Sequence, residues 1–124
     1  MSNNRIMIVD DQEDIRILLR LTLEPMGCEL YVATNGHEAI DIARRYQPDL
    51  IILDVMMPGG MDGHQVCRVL RAEAATAHAY IILLSARGQQ SDLNEGKQAG
   101  ADHYMLKPFS PIELTDIIRC AQAR

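Results

Sequence analysis

Five short apolar runs punctuate this chain: IMIV at 6–9, LYVA at 30–33, LIIL at 50–53, YIILL at 80–84 and YML at 104–106. Four or five consecutive apolar residues, rather than an alternating pattern, mark strands covered on both faces, and a parallel sheet between two layers of helices is what such strands build. The segments between the runs have helical period. One α/β domain of alternating strands and helices is therefore expected over residues 1–124, with no internal repeat, low-complexity segment or linker.

The helices carry their own start and stop signals. The first places Ile15, Leu18, Leu19 and Thr22 on one face, with Glu13 and Asp14 in the turn where the macrodipole favours acids and Gly27 beyond its end. Asn35 with Glu38, and Asp62 with Gln65, have the spacing of capping boxes for the second and third. The fourth spans roughly Gln90 to Ala99 and stops at Gly100. Ser110, Pro111 and Glu113 open the fifth, where Leu114, Ile117, Ile118 and Ala121 line one face.

Charge and cysteine content narrow the function classes. A net charge of -5, from 12 basic and 17 acidic residues with no Lys/Arg cluster, argues against a direct nucleic-acid contact, which needs a basic stripe to displace phosphate counterions. Cys28, Cys67 and Cys120 are odd in number, far apart and form no CxxC pair, so reduced, buried thiols in a cytoplasmic protein are expected. The start, MSNNRIMIVDD, has no signal-peptide core. No apolar run approaches the ~20 residues of a membrane helix, so no membrane partner is expected.

The informative residues follow the apolar runs: Asp10 and Asp11 after the first, Asp54 after the third, Ser85 after the fourth and Lys107 after the fifth. Open α/β sheets bind ligands at the carboxyl ends of their strands, where the strand order reverses. If strand 2 lies at the edge, the four runs that end in these groups are contiguous and share one crevice. Two adjacent like charges cost roughly 1 kcal/mol at 4 Å in water and about 4 near a protein surface. A hard divalent cation offsets that cost, and carboxylates with waters and a substrate phosphate are the ligands Mg²⁺ prefers. With such an ion, Asp54 on the central strand could attack phosphorus to give an aspartyl phosphate. Lys107 would neutralise a phosphoryl oxygen, and Ser85 would donate to another.

Taken singly these residues have plainer readings. Asp10 and Asp11 suit a helix cap, Asp54 a turn, Ser85 a loop hydroxyl, Lys107 a surface charge and Tyr104 rim packing. Five such coincidences at neighbouring strand ends are what favours a site. Thr34, Asn35 and the histidines His37, His64, His78 and His103 are read as caps and surface positions without partners, and the seven methionines as core fillers. A metal-dependent phosphohydrolase would need a general acid, usually an Asp two residues beyond the nucleophile, where Met56 stands. A flavodoxin-like mononucleotide binder would need a phosphate-binding loop after the first strand, where Asp10 and Asp11 would repel phosphate.

The segments IVDDQED, LIILDVMMPGGMDG, LLSA and GADHYMLKPF resemble, in type, order and spacing, the receiver domain of two-component response regulators, including the chemotaxis regulators. The resemblance spans essentially the whole chain. It implies a flavodoxin-like (βα)5 three-layer sandwich with a parallel sheet in the order 2-1-3-4-5. It implies Asp54 as phosphoacceptor, with Mg²⁺, or Mn²⁺ in its place, held by Asp11 and Asp54, by Asp10 through water, and by the Met56 backbone carbonyl. Ser85 and Tyr104 would be the switch residues, and Lys107 would precede a cis proline. The implied partners are a sensor histidine kinase or phosphotransfer protein and a downstream output protein or fused output domain. A homodimer through the face made by the fourth helix, fifth strand and fifth helix would be a further one. No turnover beyond self-phosphorylation and slow autodephosphorylation is implied. Two features are particular to this chain. Gly59 and Gly60 stand where the family usually has one glycine, and the loop is expected to bulge outward and leave Asp54 in place. Met56 and Arg87 are expected to flank the path of an attacking water and prolong the phosphorylated state.

Overall fold

The computed structural model describes residues 5–86 and 88–122. The elements follow the expected alternation: β1 Arg5–Val9, α1 Glu13–Leu23, a 3-10 turn Glu24–Met26, β2 Glu29–Ala33, α2 Gly36–Tyr46, β3 Leu50–Asp54, α3 Gly63–Ala72, β4 Tyr80–Ser85, α4 Gln90–Ala99, β5 His103–Leu106 and α5 Pro111–Gln122. The strands pair in parallel in the order β2-β1-β3-β4-β5. This is the sheet the resemblance implied.

The continuous apolar runs are explained by what each face meets. Met7, Val9, Ile51, Leu53, Ile81 and Leu83 point to one side, against Ala39, Ile40 and Ala43 of α2 and Val66, Cys67 and Leu70 of α3. Ile6, Ile8, Leu50, Ile52, Ile82 and Leu84 point to the other, against Leu19 and Leu23 of α1 and Leu114 and Ile118 of α5. Successive strand residues thus enter opposite cores, and each large side chain buried this way contributes about 1.5–3 kcal/mol.

Capping fixes where the helices begin. Asp62 and Gln65 form the reciprocal box at α3, each side chain accepting from the other's backbone N–H. At α2 the box is half formed: Asn35 accepts from the Glu38 N–H, while the Glu38 carboxylate turns to the Thr34 N–H and hydroxyl. The Ser110 hydroxyl accepts from the Glu113 N–H at the start of α5.

Four local expectations are corrected. On α1 the inward stripe runs through Leu19 and Leu23, and Leu18 is exposed, because a strand-covering helix buries i and i+4 rather than both of two adjacent positions. Cys120 is exposed, on the outer side of α5, while Cys67 is buried. Met56 is exposed, not a core filler. His64 is buried near the start of α3 and its Nδ1 lies 3.7 Å from the Glu95 carboxylate of α4, so it is neither a surface residue nor partnerless.

Close approach of α3 to β3 depends on Gly63. Its N–H donates to the Val55 carbonyl, and a Cβ there would run into the Asp54 carbonyl oxygen and meet the Val55 Cα at 2.8 Å. Both obstacles are backbone, so neither can swing aside. Gly63→Ala is expected to lower the free energy of unfolding by about 1–3 kcal/mol or more, as overpacking does; urea denaturation measures it, and an unchanged midpoint would contradict the close approach.

Candidate functional site

The strand register brings the polar residues together. Val9 pairs with Leu53, so Asp10 and Asp54, each one step further along, emerge side by side at the carboxyl edge. Ser85 pairs with Leu106, which sets Lys107 one step beyond β5. The Lys107–Pro108 peptide bond is cis. The order of strands reverses between β1 and β3, where open α/β sheets open a crevice.

Asp10, Asp11 and Asp54 each direct a carboxylate oxygen into one cluster, all within 4.8 Å of one another; Asp10 and Asp54 are buried and Asp11 is exposed. Lys107 Nζ reaches Asp10 Oδ2 at 3.0 Å and Asp54 Oδ1 at 3.2 Å. Asp10 Oδ1 accepts from the Gln12 N–H at 2.9 Å, and Asp54 Oδ1 from the Met56 N–H at 3.3 Å. A crevice of about 250 Å³ opens above, lined by Asp11, Gln12, Asp54, Met56, Ala86 and Lys107. It is large enough to admit a phosphoryl group.

Burial and then the neighbouring Asp10 charge push the Asp54 carboxyl up to about 6, against the opposing pull of Lys107 and the Met56 N–H. Burial works against the Lys107 ammonium, but the hydrogen bond to Asp10 and the charges of Asp54 and Asp10 outweigh it, and the net direction is upward. One ammonium therefore does not neutralise the cluster. The excess negative charge, the all-oxygen donor set and the solvent access at Asp11 are what a hard divalent cation requires. The donor set fits such an ion.

Ser85 is fully buried at the end of β4, and its backbone carbonyl accepts from the Lys107 N–H at 2.8 Å. Tyr104 lies half-buried on β5 against α4, where a Cβ at Gly96 would meet its ring at 2.9 Å. Gly59 and Gly60 take φ of +93° and +83° and face open space, so the extra glycine is absorbed outward and Asp54 keeps its place at the end of β3. Arg87, read as flanking the water path, lies outside the described residues. Gln12 joins the site without having been singled out in the sequence. Its only signal there was its place directly after the paired aspartates.

A model of the response regulator receiver domain matches residues 6–119. The chain is 44% identical over 120 residues to the probable transcriptional regulator ycf27 of Porphyra purpurea, covering 97% of this chain and 48% of that protein. It is 40% identical over 122 residues to the alkaline phosphatase synthesis transcriptional regulatory protein PhoP of Bacillus subtilis, covering 98% of this chain and 50% of PhoP. Among solved structures it superposes on the chemotaxis protein CheY4 of Vibrio cholerae with a TM-score of 0.89 at 30% identity, covering 97% of this chain and 99% of CheY4. A five-stranded parallel sandwich with an acidic cluster at its switch point, matched along nearly its whole length, places this chain in the receiver-domain family of two-component response regulators. The receiver domain is a signalling module of response regulators.

The chain spans about half the length of the curated relatives it matches. Relatives named as transcriptional regulators leave the expectation of no nucleic-acid partner without support. Among the described residues no helix is long and apolar enough to cross a membrane.

The raised Asp54 has a consequence for stability. The unfolded chain titrates this group at its ordinary 3.8, so between about 4 and 6 the folded chain binds more protons, and its stability falls as pH rises through that window. Without divalent cations near neutral pH, Asp54→Asn is expected to stabilise the fold by on the order of 1–2 kcal/mol. Urea denaturation checks this. A loss of stability in the variant would show that the Lys107 contact, not the crowding, dominates.

Proposed function

We propose that Asp54 is the phosphoacceptor of this receiver domain and that the reaction needs a divalent cation, Mg²⁺ or Mn²⁺ in its place. The supporting observation is the convergence of three carboxylates within 4.8 Å at the switch point, with Lys107 Nζ 3.2 Å from Asp54. Asp10, Asp11, Asp54 and the Met56 backbone carbonyl are the groups that would hold the cation, which when bound supplies positive charge to the acidic cluster and to phosphoryl oxygens.

An Asp54 oxygen attacks the phosphorus of a phosphohistidine or a small acyl phosphate. A new O–P bond forms as the P–N or P–O bond to the donor breaks, and the leaving group takes the electron pair. Lys107, already beside Asp54, meets a phosphoryl oxygen as charge is redistributed. Ser85 supplies a hydroxyl donor from the neighbouring strand end. Asp11, Gln12, Met56 and Ala86 line the crevice that the donor would enter beside Asp54 and Lys107.

Once phosphorylated, Asp54 draws Ser85 and Lys107 inward, and Tyr104 rotates into the space vacated. This biases two states of the α4, β5 and α5 surface; couplings of this kind are typically about 1–3 kcal/mol, enough to change partner affinity severalfold. The partners in this reading are a sensor histidine kinase or phosphotransfer protein as donor and an output protein, fused output domain or second copy as listener. Activity is confined to self-phosphorylation and slow autodephosphorylation. A cytoplasmic location belongs to the same reading and is supported by three free cysteines. Residues 1–124 are proposed as one receiver domain.

Intact mass after incubation with acetyl phosphate tests the site. One phosphoryl adduct is expected with Mg²⁺, none with a chelator and none in Asp54→Ala; an adduct that persists in the variant would relocate the acceptor. Met56, half-exposed on the crevice wall, is expected to hinder the hydrolytic water. Dephosphorylation of Met56→Asn should be faster than that of the wild type, and an equal or slower rate would remove Met56 from that role.

A further inference from the structure

Gln12 occupies the N-cap of α1, where its carbonyl accepts from the Arg16 N–H at 3.1 Å, but its side chain does not serve the helix. Its side chain makes no capping hydrogen bond, and glutamine is not among the residues favoured at that position. The Ile15 N–H, which a capping side chain could take, donates to Asp14 Oδ1 at 3.0 Å instead, and the Gln12 N–H itself donates to Asp10 Oδ1 at 2.9 Å. Instead the side chain reaches across the crevice mouth, placing Oε1 3.5 Å from Lys107 Nζ. An ammonium has three protons and no acceptor capacity, so the carboxamide must present its oxygen. With Asp10 Oδ2 at 3.0 Å, Asp54 Oδ1 at 3.2 Å and Gln12 Oε1 at 3.5 Å, three acceptors surround the ammonium.

These acceptors are not equivalent. Asp10 and Asp54 are buried and charged, whereas Gln12 is neutral, exposed and the most distant. When a phosphoryl oxygen arrives at Asp54, the weakest of the three contacts is the one the ammonium exchanges. We propose that Gln12 is a positioning residue for Lys107: its side-chain oxygen holds the ammonium across the mouth of the crevice before transfer and is displaced by a phosphoryl oxygen during it. Gln12 thereby sets how readily Lys107 meets an incoming phosphodonor. This rests on Asp54 as the acceptor.

Three variants separate positioning from helix capping. Gln12→Met keeps the length and removes the oxygen; Gln12→Ser gives α1 a real cap but cannot reach Lys107; Gln12→Glu keeps an acceptor and adds charge. The rate of adduct formation from acetyl phosphate at saturating Mg²⁺ is the first readout, and proton exchange at the Lys107 ammonium, followed by NMR without phosphodonor, is the second. Loss of one weak hydrogen bond to a charged group should speed loading about twofold to fivefold in both Gln12→Met and Gln12→Ser. Gln12→Glu should load more slowly than the wild type, and ammonium exchange should quicken in the first two variants only. A capping role would instead split Met from Ser in stability and leave both rates alone. Wild-type loading with unchanged rates or unchanged exchange in Gln12→Met and Gln12→Ser would overturn this proposal alone, whereas no wild-type loading with Mg²⁺ would overturn it together with the assignment of Asp54.

Discussion

The site is organised around an unbalanced charge: three carboxylates gathered within 4.8 Å and a single ammonium set between two of them. At an effective dielectric near 20, two unit charges about 4 Å apart interact by about 4 kcal/mol, and three acids with one base leave an excess of negative charge in a small volume. Burial first, and then the neighbouring Asp10 charge, raise Asp54 to about 6, so the imbalance adds to the cost of desolvation at this residue. A cation relieves it. The same imbalance is what would make the cluster receptive to a divalent ion.

The remainder of the fold holds that arrangement against its own repulsion. Two cores, one on each face of the sheet, fix the strands in a register where Val9 faces Leu53 and Asp54 faces Leu84, and a slip by one residue would turn every apolar side chain to the wrong core. Gly63 brings α3 onto the backbone of Asp54 and Val55, and the capping box of Asp62 and Gln65 starts that helix at a defined residue. The buried Asp10 and Asp54 therefore cannot move apart without disturbing packing on both sides. By contrast Gln12, Met56 and the Gly59–Gly60 loop lie on the exposed rim.

Much of this was legible in the sequence because the strands are covered on both faces and so read as continuous apolar runs, each ending within a residue or so of the observed strand. The acidic cluster was legible because its members stand at the ends of those runs. The misread positions share a cause. Leu18, Cys120 and His64 differ from expectation because which side of a helix faces inward depends on how it lies on the sheet, and a one-position rotation exchanges buried for exposed. Gln12 was missed because a glutamine at a helix start carries no chemical signature, and only the position of Lys107 across the crevice gives its side chain a partner.

Calorimetric titration of the wild-type protein with Mg²⁺, beside Asp11→Asn and Asp54→Asn, tests the charge imbalance most directly. One ion per chain is expected for the wild type, with affinity falling at least severalfold in each variant because each removes a charge from the same cluster. Absence of binding in the wild type, or affinities in the variants equal to it, would contradict the account that a divalent cation holds these carboxylates together.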